Sequence, residues 1–305
     1  MLQKKIEFRQ RLDVGDIVTF YFDFLKQNFK RFTNIFISYN GIFILAFLGI
    51  SYLLVTGFIG IANSDVTTET EAMLYIGFGG FAFFIVFLIV ASLNYSLSAS
   101  YVSNYVVGET IEVDKKKVWK KVKDNFGNIV AFVLLLIVIY VGFFVISIIL
   151  AIIPLIGSIA QSILNFAISG WFGVSFMVML HENKSISNSF SEGWNLVIKN
   201  FWKSVGVNFI LSLLNTILLL LVLSIPGILI GFYMFHAVDA GDDLANSMVA
   251  KIVWIIAMWI FLVAITYSQA LTQFVNGILY FSLHEQTYNE FTRAKIEQIG
   301  ESSEM

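Results

Sequence analysis

The sequence has no cysteine, only two prolines, and charged residues at 13% of its 305 positions. The missing thiol excludes disulfides, thiolate nucleophiles and cysteine-ligated metals. So few prolines leave little to interrupt a helix. The shortage of charge excludes most, because a soluble domain carries about 25% charged residues. It is also localised: no Asp, Glu, Lys or Arg occurs in 34–62, 72–107, 128–180, 204–236 or 252–283. A short apolar run followed by a small-residue cleavage site is lacking in the first 33 residues, so entry into a bilayer is expected through the spans themselves. No glycine-rich phosphate loop follows a strand, and there is no zinc-binding HExxH and no Ser/His/Asp order. No catalytic residue and no cofactor is therefore nominated.

What is present is hydrophobic length. Apolar residues make up 58% of the chain, and a spanning helix needs about 20 of them in succession. The charge-free stretches predict six spans. The first covers 34–62 and the second 72–107. The long stretch 128–180 is divided by Pro154 and Gly157 into 128–153 and 158–180. The fifth begins at Ser204 and either ends at Pro226-Gly227 or continues past a kink to His236. The sixth covers 251–283. Segments 1–33, 108–127, 181–203 and 284–305 hold 18 Lys and Arg, whereas the opposite loops hold Lys251 alone. Those loops carry Asp65, Glu69, Glu71, Asp239, Asp242 and Asp243 instead. The positive-inside rule puts both termini in the cytoplasm.

A short pattern recurs before each odd-numbered span. Phe22, Trp119 and Trp194 stand six residues ahead of Asn28-Phe29, Asn125-Phe126 and Asn200-Phe201, with Leu25, Val122 and Val197 midway. These offsets share one helical face. Asp13 or Asp16, Asp114, and Ser185 or Ser187 are candidate N-caps. An amphipathic, aromatic, basic helix beside a span suits the bilayer interface, its lysines near anionic headgroups. The three Asn residues are expected to hydrogen-bond backbone at a corner where the chain turns into the span. Even spans leave through VVGE, MLHE and SLHE, and upstream lie the pairs Ser96/Ser100, Ser169/Gly173 and Thr272/Asn276. Small or polar residues four apart allow close helix approach in lipid. The expected fold is an all-α polytopic membrane protein, one integral membrane domain over 1–305. Its six transmembrane helices form three repeats of interfacial helix plus helical hairpin (11–107, 108–182, 183–283), with an amphipathic cytoplasmic tail over 284–305.

This layout, the W..V..NF elbow and the LHE-type exit resemble a widespread group of bacterial six-span membrane proteins. It is similar to the membrane domain fused to some glycerophosphodiester phosphodiesterases. The phosphodiesterase barrel of those fusions has no counterpart here, so the resemblance implies a membrane or lipid-associated role and carries over no catalytic residue.

Polar residues inside spans are costly and mark candidate sites. Gln269, Gln273 and Asn276 share a face of the sixth span, Gln161 and Asn165 pair in the fourth, and Asn94, Ser98 and Tyr101 line the second. They glue helices together or line a polar cleft. His181-Glu182 and His284-Glu285 serve as acid–base or metal groups only if the two pairs converge. His236, Asp239, Asp242 and Asp243 are the one outward set of possible metal ligands; the default there is a solvated acidic loop. Basic residues are accounted for by topology, so no nucleic-acid role is assigned. The expectation is an integral protein of the bacterial inner membrane, a non-enzymatic scaffold or lipid-associated adaptor. Its partners would be membrane lipids, with anionic headgroups on the cytoplasmic side, and envelope proteins. The alternative is a transporter or flippase using the polar faces of the even-numbered spans.

Overall fold

The computed structural model describes residues 5–62, 66–239 and 247–293. The described residues are helical with no strand: α1 (Val14–Ala62), α2 (Val66–Val107), α3 (Lys115–Asp124), α4 (Phe126–Ala151), α5 (Ile156–Glu182), α6 (Ile186–Lys199), α7 (Phe201–Asp239) and α8 (Met248–Tyr288). All but α3 and α6 are long and apolar enough to cross a bilayer, giving six candidate spans. The chain is a multi-pass integral membrane protein.

Local chemistry sets the helix ends. Asp13 and Asp16 form a capping pair at α1, the Asp13 amide donating to the Asp16 carboxylate at 3.2 Å. Asp114 caps α3, accepting from the Lys116 amide at 2.8 Å. Ser185 precedes α6 as its N-cap. Lys5 closes the other end of α2, donating to the carbonyls of Val106 and Gly108, where a cation meets the negative end of the helix dipole. Between α4 and α5 the chain reverses within Ile152–Leu155. Leu155 takes a positive φ of 62°. Gly157 is obligatory there, since a Cβ would lie 1.8 Å from the Leu150 carbonyl oxygen. Asn183 ends α5 in the left-handed region.

Two expectations are corrected and one open choice is decided. First, α1 runs unbroken through Asn28, so no separate helix and no corner precede the first span. At 49 residues it is about 73 Å long, more than twice a bilayer's hydrocarbon thickness. Second, of the two courses left open for the fifth span, α7 takes the longer one and continues through Pro226 to Asp239. Third, 284–288, assigned to the tail, are the last turns of α8. Residues 294–305 lie outside the described residues.

The chain divides into two compact units. One comprises 34–94 and 213–269. Its core gathers Phe47, Ile50 and Leu54 of α1, Val90 of α2 and Leu262 of α8. Gly57 admits α2 closely, its missing Cβ standing 2.9 Å from the Ala72 carbonyl oxygen. The Trp259 indole donates to the Ile44 carbonyl at 2.8 Å.

The other unit comprises 1–33, 95–212 and 270–305. Its centre is an aromatic nest of Phe8, Phe24, Phe32, Tyr101, Tyr105 and Phe274, with centroids 4.3–6.3 Å apart in mostly edge-to-face pairs. Phe8 lies on an extended strap ahead of α1. The strap is held by the Ile6 amide donating to the Tyr105 hydroxyl (2.9 Å) and the Leu12 amide donating to Ser282 (3.1 Å). α6 packs on α5, burying Phe190, Gly193, Leu196 and Val197. The Trp171 indole donates to the Phe190 carbonyl at 3.0 Å.

Candidate functional site

A set of buried polar side chains, termed the belt below, is spread over four helices of this second unit. Ser98 and Ser100 of α2, Ser175 of α5, Ser204 and Asn208 of α7, and Gln273 and Asn276 of α8 are all buried. Each carries a hydroxyl or amide atom with no hydrogen-bond partner among the described residues. Such a group costs about 1–3 kcal/mol when buried, and nearly all buried polar atoms in folded proteins are paired. The belt contains no carboxylate or ammonium. The helices meet tightly along it: Gly173 of α5 abuts Asn276, and a Cβ on Gly173 would fall 2.0 Å from the Asn276 amide nitrogen. Gly193 of α6 likewise leaves room for Ser175. Gln273 donates to the Gly173 carbonyl at 3.2 Å.

A second polar assembly lies at the last turns of α5 and α8. His181, Glu182, Tyr280, Phe281, His284, Glu285 and Glu290 surround a cavity of about 190 Å³, together with Arg9 from the strap. The two His-Glu pairs therefore do converge. Their carboxylates are already committed. Glu182 accepts from the Tyr280 hydroxyl at 2.5 Å and from Lys184 at 2.6 Å. Glu285 accepts from the amides of Phe291 and Thr292 and from the Thr292 hydroxyl, fixing the turn at Asn289. Among the described residues no group of three His, Asp or Glu has the arrangement of a metal site.

Residues 20–226 match the family model described as Sulfate transporter CysZ/Etoposide-induced protein 2.4. The match spans more than half of the chain. The chain belongs to this family. The matched stretch includes the α2, α5 and α7 members of the belt, whereas Gln273, Asn276 and the strap lie beyond it. No curated protein and no solved structure matches the chain significantly.

The remaining sequence-predicted residues fall as follows. The Asn side chains of the recurring pattern all make one bond, Nδ2 donating to the carbonyl four residues back: Asn28 to Phe24 (2.9 Å), Asn125 to Lys121 (3.0 Å) and Asn200 to Leu196 (3.1 Å). Helix breaks occur at Asn125 and Asn200. Phe22, Phe29, Phe126 and Trp194 are exposed, while Trp119 and Phe201 are half-buried. Val122 and Val197 between them are buried in protein. The pattern thus straddles a protein-facing and an outward-facing surface rather than lying on one face toward lipid. Lys203, expected to reach headgroups, is instead turned inward, donating to Ser282 (3.0 Å) and Gln286 (2.8 Å).

Of the packing pairs, Ser96, Ser100, Gly173 and Asn276 are buried, and Ser169 and Thr272 are half-buried. The polar residues proposed for the cleft are distributed over both units. Asn94 is closed within the first unit, accepting from Asn40 (3.0 Å) and donating to the Thr266 carbonyl (2.9 Å). Gln269 belongs to that unit as well, whereas Gln161, Asn165 and Gln273 belong to the other. Gln161 is half-buried and Asn165 exposed. Of the acidic cluster, Asp242 and Asp243 lie outside the described residues. The His236 ring packs on Phe232 at 4.6 Å, and the Asp239 side chain lies outside the described residues. Sequence reasoning missed the strap with Lys5, Phe8 and Arg9, and the interior roles of Ser103 and Lys121. The one available signal was Phe8, a lone large aromatic within a charged segment.

Proposed function

We propose that the chain is a transport protein of the bacterial inner membrane, with both termini in the cytoplasm, that moves a small polar solute. Sulfate is the first candidate, from the description of the family. The observation that carries this reading is the belt of unpartnered hydroxyls and amides on α2, α5, α7 and α8. Groups left unpaired in a protein surrounded by lipid are expensive, and passage of a hydrogen-bonding solute gives them partners. The belt is uncharged, which suits weak, exchangeable binding rather than tight capture. Contact between Gly173 and Asn276 closes it, so conduction requires α5 and α8 to part there.

The test is uptake of labelled sulfate by proteoliposomes, compared with a panel of other small anions and neutral solutes. Wild type should take up one class. Gln273→Leu and Asn276→Leu should abolish uptake while the protein still inserts and melts normally. Uptake of nothing, or uptake indifferent to both substitutions, refutes the reading. A scaffold role is the second reading. It is favoured by α4, where only Ile129 and Phe132 are buried and the rest of the helix is open to lateral contact within the membrane.

A further inference from the structure

The cavity between the last turns of α5 and α8 holds groups that transport through the belt does not use. Lys121 of α3 donates to the Ser103 hydroxyl at 2.6 Å, and Ser103 lies 2.9 Å from Nδ1 of His181. Burial pulls the Lys121 ammonium below the ordinary lysine range. An ammonium only donates, so Ser103 accepts from it and turns its own proton to Nδ1. Nε2 is then the nitrogen of His181 that carries hydrogen. Arg9 has no carboxylate within ion-pair distance among the described residues, and its guanidinium is a fork of five donors. On the acceptor side, Glu182 and Glu285 are committed to Lys184, Tyr280 and the Phe291–Thr292 turn. Glu290 is the carboxylate lining the cavity that makes no hydrogen bond or ion pair among the described residues, its charge acting on Lys184 and Tyr288 only at longer range. The cavity thus offers donors from Arg9 and His181 and one carboxylate without a hydrogen bond, with Tyr280, Phe281 and His284 as walls.

Depth narrows the ligand. The 27 residues of α5 extend about 40 Å, longer than the hydrocarbon core, so its terminal turn reaches the headgroup layer. The groups plentiful there are phosphates and amines. Beyond the two engaged carboxylates, the walls present Arg9 and His181 as donors and Glu290 as an acceptor, which suits a ligand carrying both groups, and about 190 Å³ holds one of that size.

We propose that this cavity binds an aminoethyl phosphate, presented by the headgroup of a phosphatidylethanolamine-type lipid. Its phosphate lies on Arg9 and Nε2 of His181, and its ammonium on Glu290. A guanidinium grips a phosphate in two parallel hydrogen bonds. A primary ammonium has three N–H donors for Glu290, whereas a trimethylammonium has none. The inference rests on the cavity and is independent of transport.

The test is lipid retention by the purified full chain, read by native mass spectrometry after exchange into nanodiscs of defined composition. Wild type should retain phosphatidylethanolamine at least about fivefold over phosphatidylcholine. Glu290→Gln should erase that preference. Arg9→Gln should lower retention of both about tenfold, and Arg9→Lys, which keeps charge without the fork, should fall between. Melting of each variant, read in parallel, identifies any that fails to fold, and Arg9→Lys then carries the comparison. A thermal shift with free phosphoethanolamine in phosphatidylcholine nanodiscs distinguishes a soluble ligand from a lipid; saturable stabilisation there that is lost in Arg9→Gln keeps the site and reassigns the source. Equal retention of the two lipids, or retention untouched by Arg9→Gln with no response to free phosphoethanolamine, overturns it. Asn276→Leu should lose uptake yet keep this binding, so the two readings fail separately.

Discussion

Gly173→Ala is the smallest change that interrogates the belt. The added Cβ would lie 2.0, 2.2 and 2.5 Å from Nδ2, Cγ and Cβ of Asn276. Rotating the amide away removes the first two clashes but leaves the third, which belongs to the base of the side chain. Carbons sit at about 3.5–4.0 Å, so α5 and α8 must part by about 1 Å at this crossing. Overpacking of this sort costs about 1–3 kcal/mol. The Gln273–Gly173 hydrogen bond, already 3.2 Å long, is lost with it at about 1 kcal/mol. Alanine's better helix propensity returns about 1 kcal/mol. The net is a destabilisation of about 2 kcal/mol. With an unfolding entropy of about 2.1 cal/mol/K per residue, that lowers Tm by about 3 °C in a chain of this length. Gly142→Ala on α4 is the control: its site is open, so only the propensity gain remains and Tm should rise. Gly170→Ala is intermediate, because its nearest obstacle is the movable end of Asn208 at 2.8 Å and the next atom is 3.7 Å away. Thermal unfolding of the purified variants in one detergent, followed by circular dichroism, gives the order. Equal melting of Gly173→Ala and Gly142→Ala would show that the two helices do not meet there.

The recurring asparagines differ in what else they hold. Asn28 also accepts from the buried Tyr101 hydroxyl at 2.8 Å, so Asn28→Ala strands that group and should cost about 2 kcal/mol more than Asn125→Ala or Asn200→Ala in the same melts. Glu182 raises the pKa of Lys184 above its ordinary 10.5. The contribution of the pair is therefore full below that value and fades as pH rises through the higher folded value. The Tm difference between wild type and Lys184→Met should shrink above pH 10.5; a difference growing with pH would reverse the assignment. For orientation, a cysteine at Glu69 should react with an impermeant thiol reagent applied to intact cells and one at Lys120 should not, the opposite pattern inverting the proposed topology.

The amino-acid sequence by itself determined the class and the course of the chain. Long charge-free runs cannot be anything but membrane helices, since a single ionised group at the bilayer centre costs several kcal/mol. Its punctuation was equally legible where backbone chemistry is local. Pro154 to Gly157 had to turn because Leu155 takes a positive φ and only glycine fits against the Leu150 carbonyl, and Asp114 had to cap because α3 leaves its first amides open. Periodicity could not say whether a polar face meets protein or a cleft, or which unit it joins. Asn94 and Asn276 read alike in sequence, yet Asn94 finds Asn40 and Thr266 while the amide of Asn276 finds no hydrogen-bond partner among the described residues. Nor could it foresee the continuity of α1 through Asn28. That Asn makes the same local bond as Asn125 and Asn200, but its side chain is also held by Tyr101 from α2. The cavity was the least legible element. Arg9, His181 and Glu290 are separated by more than 100 residues at each step, and only the strap pinned at Tyr105 and Ser282 brings Arg9 to the ends of α5 and α8. A contact set by loop closure over such distances depends on tertiary packing, and no local pattern encodes it.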